Sequence, residues 1–159
     1  MKIINIHKRI INQPKSALDT VISTLSSKED KVWPTKNWPR MKLDQGLQEG
    51  SKGGHGPIRY FVQKYIPNQL IQFQFTEPKN FVGIHKFEIE SLNLEQTQIT
   101  HTIDMDAKGV GILTWSIGIR WLHDALIEDA FDQIENHFST EKKNSEWNLW
   151  VKTLRLFLK

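Results

Sequence analysis

GILTWSIGIRWLHDALIEDAFDQIENHF, residues 111–138, is the longest stretch of the chain with helical period, and it contains no proline. On a 3.6-residue wheel, Leu113, Ile127, Ala130, Phe131, Ile134 and Phe138 share one broad apolar stripe. Ser116, Arg120 and His123 fall on that stripe as well, all in the first half. One face therefore changes character along its length. The C-terminal half reads as ordinary core, while the N-terminal half turns a hydroxyl, a guanidinium and an imidazole inward. A polar group left unpaired in a dry interior costs roughly 1–3 kcal/mol, so this half-helix is expected to form one wall of a pocket. Trp115, Leu122 and Leu126 make a second apolar strip, available to another helix.

Upstream of this helix the period is 2. Residues 96–106 and 81–91 alternate, as do 69–76, 57–66 and 41–48, with turns between them. Hairpin spacing implies an antiparallel sheet with one buried and one solvated face. Residues 2–12 alternate too, with Ile4, Ile6 and Ile10 expected inward and Asn5, His7 and Arg9 outward. Residues 14–25 read as a short amphipathic helix starting at Pro14. A stiff loop with Trp33-Pro34 and Trp38-Pro39 follows it. After Ser139 the chain yields one more amphipathic helix, capped at Asn144 or Ser145, with Trp147, Trp150, Val151, Leu154, Phe157 and Leu158 in its stripe. The fold class predicted is α+β: a curved antiparallel sheet holding one long helix over residues 1–138, with a helical extension at 139–159.

A turn centred on Asn93 sets His85 opposite His101, both on the apolar rows and both facing inward. With His123 on the helix above, three imidazoles converge. They can be internally satisfied core histidines bonded to Ser116, Arg120 or water, polar anchors in an apolar pocket, or metal ligands. No tight His-x-His or His-x3-His spacing supports the last of these, so neither metal nor cofactor is expected. His55, among Gly53, Gly54 and Gly56, can close one end of the pocket or stay exposed. Asp129 and Asp132 read as a solvated acidic flank, whereas Asp124 can hold Arg120 at i, i+4 spacing.

With 159 residues and no cysteine, the chain is one domain without disulfides, thiolate metal sites or a thiol nucleophile. Its net charge of +3 is spread along the sequence, and nucleic acid is not an expected partner. No apolar run approaches the roughly 20 residues that cross a bilayer, and the N-terminus reads as a strand rather than a signal peptide. A cytoplasmic location is expected.

VWPTKNWPRM (32–41), GGHGPIRYFVQKYIPNQLIQFQF (53–75), FVGIHKFEIE (81–90) and RWLHDALIEDAFD (120–132) resemble an uncharacterised bacterial branch of the START-like, or SRPBCC, helix-grip superfamily, which includes polyketide cyclase-like proteins. That resemblance implies a sheet gripping the C-terminal helix around a hydrophobic cavity. It places His85, Phe87, His101, Ile103, Ser116, Arg120, His123 and Ile127 on the lining, with Trp33, Trp38 and His55 nearer the rim. Phe73, Phe75 and Phe131 are further apolar candidates. The extension after Ser139 departs from the superfamily pattern, in which the gripped helix closes the domain. Three functions follow. The first is binding of a small hydrophobic molecule with a polar head, as a carrier or sensor. The second is a cyclase, dehydratase or hydrolase with His85 or His123 as acid/base and Arg120 on an oxyanion. The third gives the terminal helix the main role, contacting a partner, a membrane surface or a second copy in a homodimer.

Overall fold

The computed structural model describes residues 1–158, in the order β1 (Lys2–Ile11), α1 (Lys15–Ile22), β2 (Lys42–Leu43), β3 (Lys52–His55), β4 (Ile58–Ile66), β5 (Leu70–Glu77), β6 (Phe81–Ser91), β7 (Thr97–Ala107), then a long helix and a short last one. The strands form a single antiparallel sheet ordered β1-β7-β6-β5-β4-β3-β2. β1, first in sequence, closes on β7 and becomes an edge strand. Gly83 in β6 has φ +154°, and a Cβ there would meet the Asp104 carbonyl oxygen on β7 at 2.3 Å. Only glycine lets the two strands approach so closely at that point.

Alternation places the buried row of β6 and β7 as expected: Phe81, His85, Phe87 and Ile89 on one strand, Ile99, His101, Ile103 and Met105 on the other. The register differs by two residues. His101 pairs with Phe87, and His85 with Ile103. The turn is longer than a tight one on Asn93, since the Leu92 amide donates to the Gln96 carbonyl and Ser91 pairs with Thr97. A two-residue slip keeps each side chain on its own face, so both histidines still point inward, as diagonal neighbours.

β1 is turned the opposite way from its apolar pattern. Ile4, Ile6 and Ile10 lie on the solvent face, while Asn5, His7 and Arg9 face the long helix. The reason lies across the gap. Asp124, Glu128, Asp132 and Glu135 form one acidic row on the helix, and β1's polar row meets it. Asp132 is buried and pairs with Arg9, and Asp129 is buried as well, so the solvated acidic flank expected there does not exist.

The long helix begins as α2 (Val110–Thr114), passes through a π-turn (Trp115–Ile119) and continues as α3 (Arg120–Phe138). A π-turn closes i→i+5 hydrogen bonds and advances less per residue than an α-helix. Across these five residues the offset reaches roughly a quarter turn. The inner face therefore passes from Leu126 and Leu122 through Ile119 to Trp115, and Trp115 is buried. The strip read as a second apolar face is the inner face itself. Leu113 and Ser116 rotate outward into solvent.

Two apolar clusters hold the layers together. The larger joins α1, the Trp-Pro loop, β4–β7 and the C-terminal half of α3; the smaller gathers Ile3, Phe81, Ile103, Met105, Ala107 and Trp115 at the other end. The last helix, α4 (Leu149–Phe157), is capped by Asn148, whose side chain accepts from the Val151 amide, a turn later than expected. It packs on the same chain: Val151 is buried, the Trp147 ring lies 5.3 Å from that of Trp38, and the Trp150 indole donates to the Ile117 carbonyl. Leu156, Phe157 and Leu158 stay exposed. Among the described residues, no helix is long and apolar enough to cross a membrane.

Candidate functional site

Between the two clusters lies a cavity of about 380 Å³. The sheet contributes Phe75, Phe81, His85, Phe87, His101, Ile103 and Met105 to its wall, and the long helix contributes Trp115, Ile119, Leu122, His123, Leu126 and Ile127. Trp33, Trp38 and His55 close one end, where exposed Pro39, Gly56, Pro57 and Leu158 mark the mouth. Nine of the eleven residues expected on the lining are there; Ser116 and Arg120 are not.

Ser116 donates its hydroxyl to the Ile112 carbonyl on the outside of the helix, carried there by the π-turn. The Arg120 side chain is 54% exposed. It lies 3.7 Å from Asp124 and over the Trp121 ring, so the expected i, i+4 pair forms, but on the outer flank. It cannot anchor a head group or stabilise an oxyanion in the cavity. Phe131 is buried below in the solid part of the core and Phe73 behind His85, neither on the wall.

Four imidazoles remain. His85 stacks on Phe73 and Phe75, with ring centroids 4.6 and 4.9 Å away, and meets Tyr60 edge-on at 4.7 Å. His101 packs against Phe87 at 4.6 Å and lies 5.7 Å from His85 and 5.0 Å from His123. His55 sits against Trp33 and forms a 2.9 Å hydrogen bond between its Nδ1 and the Tyr60 hydroxyl. Burial in this apolar setting lowers all four pKa values. His55 is pushed down to about 3, with lesser contributions from His123 and Arg59. His85 and His101 fall well below the ordinary value, helped by neighbouring imidazoles. Burial also lowers His123, partly offset by Asp124. All four are neutral at pH 7. Nε2 of His85, Nδ1 of His101 and both nitrogens of His123 are buried with no hydrogen-bond partner among the described residues. Internal satisfaction by Ser116 or Arg120, one of the sequence readings, does not occur.

His7, expected on the solvent face of β1, belongs instead to a half-buried polar layer between β1 and the helix, donating Nδ1–H to Glu128 at 2.8 Å and Nε2–H to Asp124 at 3.1 Å. Burial opposes its charge, but the two carboxylates overcome this and raise its pKa to about 9. The signal available in the sequence was the acidic row spaced four, four and three apart on one helix, set against a strand with alternate His and Arg.

The mouth is finished by α4. Asp129 accepts from the Trp38 indole at 2.7 Å and the Trp147 indole at 3.1 Å, and the Arg155 guanidinium lies 4.9 Å above the Trp38 ring. Ending the chain after Lys143 removes the burial of Val151, worth about 2 kcal/mol, and uncovers Trp38. The truncated chain is expected to lose at least that much stability in urea titrations and to show Trp38 open to acrylamide quenching. Unchanged stability and quenching would mean that α4 is not part of this domain.

No protein-family model matches the sequence, and no curated protein matches it. Solved structures do match in shape. Norcoclaurine synthase from Thalictrum flavum, in complex with dopamine and hydroxybenzaldehyde, superposes with a TM-score of 0.66 at 11% identity, over 90% of each chain. CalU16 from Micromonospora echinospora gives 0.59 at 11% identity, over 97% of this chain and 82% of that one. A protein from Thermobifida fusca gives 0.65 at 10% identity, over 90% and 99%. The fold is thus the helix-grip fold, with a terminal helix added beyond the gripped one.

Proposed function

We propose that this protein binds a small, mainly apolar molecule with a neutral oxygen-bearing head, such as a hydroxyl or carbonyl, in the cavity between sheet and long helix, as a carrier or sensor. The observation that carries the reading is the set of partnerless imidazole nitrogens on an otherwise apolar wall. A buried polar atom without a partner costs about 1–3 kcal/mol, and a ligand oxygen supplies the missing hydrogen bond. The volume lies within the usual range for small-molecule sites. Norcoclaurine synthase, which shares the fold, is found in complex with dopamine and hydroxybenzaldehyde, and this supports a small-molecule reading. A neutral head is favoured here because, among the described residues, no full charge lines the inner wall; the Arg155 guanidinium sits at the mouth. A charged group carried inward would be desolvated without an opposite charge to meet it.

Native mass spectrometry of gently purified protein is expected to show a retained small molecule, and an apolar fluorophore such as N-phenyl-1-naphthylamine is expected to displace it. Leu122→Trp fills the cavity from the helix side and should abolish fluorophore binding with little change in melting temperature. Replacing His85 and His101 together by Phe removes two partnerless groups. That variant should be more stable than wild type yet bind the retained molecule about 10-fold or more weakly, the worth of one hydrogen bond of about 1.4 kcal/mol. Fluorophore affinity indifferent to Leu122→Trp would overturn the cavity as the binding site.

A further inference from the structure

Beside the cavity, between β1 and α3, three side chains from opposite ends of the sequence point at one spot. We propose that His7, His123 and Asp124 form a mononuclear site for a divalent first-row transition ion. Nε2 of His7 lies 3.1 Å from Oδ1 of Asp124, and Nδ1 of His123 lies 3.7 Å from that same oxygen. One ligand atom from each of the three residues falls within 4.8 Å of the others. Donors around an ion at about 2.0–2.2 Å in tetrahedral geometry sit roughly 3.3–3.6 Å apart, so small side-chain rotations complete the set.

An ion pair accounts for His7, Asp124 and Glu128 by themselves. It does not account for His123, whose ring nitrogens have no hydrogen-bond partner although Nδ1 faces the carboxylate, nor for the buried, partnerless Oδ1 of Asn5 alongside. The surroundings are those that metal-bound residues need. Nδ1 of His7 is 2.8 Å from Glu128, which would fix the tautomer that offers Nε2 to the ion. Arg9 in turn holds Glu128 at 2.8 Å, and the Asn5 amide donates to Asp124 at 2.9 Å. Two imidazoles and one carboxylate favour zinc, iron or nickel over calcium or magnesium. Sequence spacing could not reveal the set, because its members meet only when β1 packs on the helix. The Asp124 side chain is 30% exposed, which gives the ion a path in from solvent. His123 belongs to this site and to the cavity wall, so a coordination position left open adjoins the cavity.

The test uses the full-length chain, stripped with a chelator and titrated with Zn(II) by calorimetry and with Co(II) by visible absorption. One ion per chain is expected, with a dissociation constant of about 1 µM or lower and a rise in melting temperature. His7→Gln and Asp124→Asn should each weaken binding about 100-fold or more, and Glu128→Gln about 10-fold or more. His137→Gln, an exposed histidine elsewhere on α3, should leave it unchanged. Paramagnetic shifts of the His7 and His123 ring signals in Co(II)-loaded wild type read the site without any variant, should a substitution fail to fold. No stoichiometric binding, binding undiminished in both His7→Gln and Asp124→Asn, or paramagnetic shifts confined to other histidines would each overturn the site. Ligand retention in the cavity is read separately from metal uptake, so neither result decides the other.

Discussion

Lowering the pH from 7.5 to 5.5 is expected to remove about 3–4 kcal/mol of folding stability, a large share of what a domain of ordinary stability holds. Four imidazoles are responsible. His55, His85, His101 and His123 are held neutral by burial, with pKa values below the 6.5 of an open chain. Below that value the unfolded chain takes up protons that the folded one refuses. Stability therefore falls as the pH drops, by about 1.4 kcal/mol at one unit below the open-chain pKa for each of His55, His85 and His101, and by less for His123, whose lowering Asp124 partly offsets, while His7 works against the fall. His7 acts with the opposite sign. Its folded pKa of about 9 lies above 6.5, so its contribution is complete below 6.5 and is lost as the pH rises toward 9, to a total of about 3 kcal/mol. Asp124, Glu128 and Glu135 have lowered pKa values and keep their contribution until well below pH 5. The stability profile should peak near pH 6.5–7, steep on the acid side and shallow on the alkaline side. Urea midpoints measured every half unit, with chelator present, give the curve directly. His85→Phe with His101→Phe should halve the acid slope, and His7→Gln should flatten the alkaline limb. A profile level between pH 5 and 7 would mean that the imidazoles are not buried as described.

Arg9→Ala is expected to cost about 3–5 kcal/mol. This guanidinium bonds Glu128 at 2.8 Å, Asp132 at 2.9 Å and Glu135 at 2.8 Å. Only 7% of the Asp132 side chain is exposed. Removing Arg9 leaves these carboxylates facing one another with less solvent than they need. Lysine is a single point charge and cannot fork across three acceptors, so Arg9→Lys should recover only part of the loss. Because Arg9 ties edge strand β1 to the helix, hydrogen exchange in β1 should accelerate more than in β5 or β6. A cost below about 1 kcal/mol would put Arg9 among ordinary surface ion pairs and remove it as a clamp.

Much of the architecture was legible in the residues because period and burial coincide. The strands from β4 onward, the helix from the 110s to Phe138 and the inward rows of β6 and β7 all follow from alternation. Three features escaped it. β1 alternates cleanly, yet alternation says only that two faces differ, and the buried one is set here by the charge on the opposing helix rather than by Ile4, Ile6 and Ile10. The two-residue register shift depends on a turn whose hydrogen bonds leave no mark in the apolar pattern. Ser116 and Arg120 were placed inward by a wheel of constant pitch, and the pitch is not constant. The lining residues read correctly are those on β-strands, in the tryptophan loop and on the regular part of α3, where geometry is uniform.

That change of pitch matters at the level of the gene. The Trp115–Ile119 turn amounts to an α-helix carrying one residue in excess. Loss of a single codon within it would restore the regular screw, because the missing advance of about 100° nearly cancels the quarter-turn lag. Trp115 before the turn and the acidic row after it would both keep their faces. A triplet lost from the regular helix beyond the turn has no such compensation and would swing Trp115 out of the cavity by about 100°. The turn is thus the one place in this segment where a frame-preserving insertion or deletion leaves the cavity wall and the clamp to β1 in register.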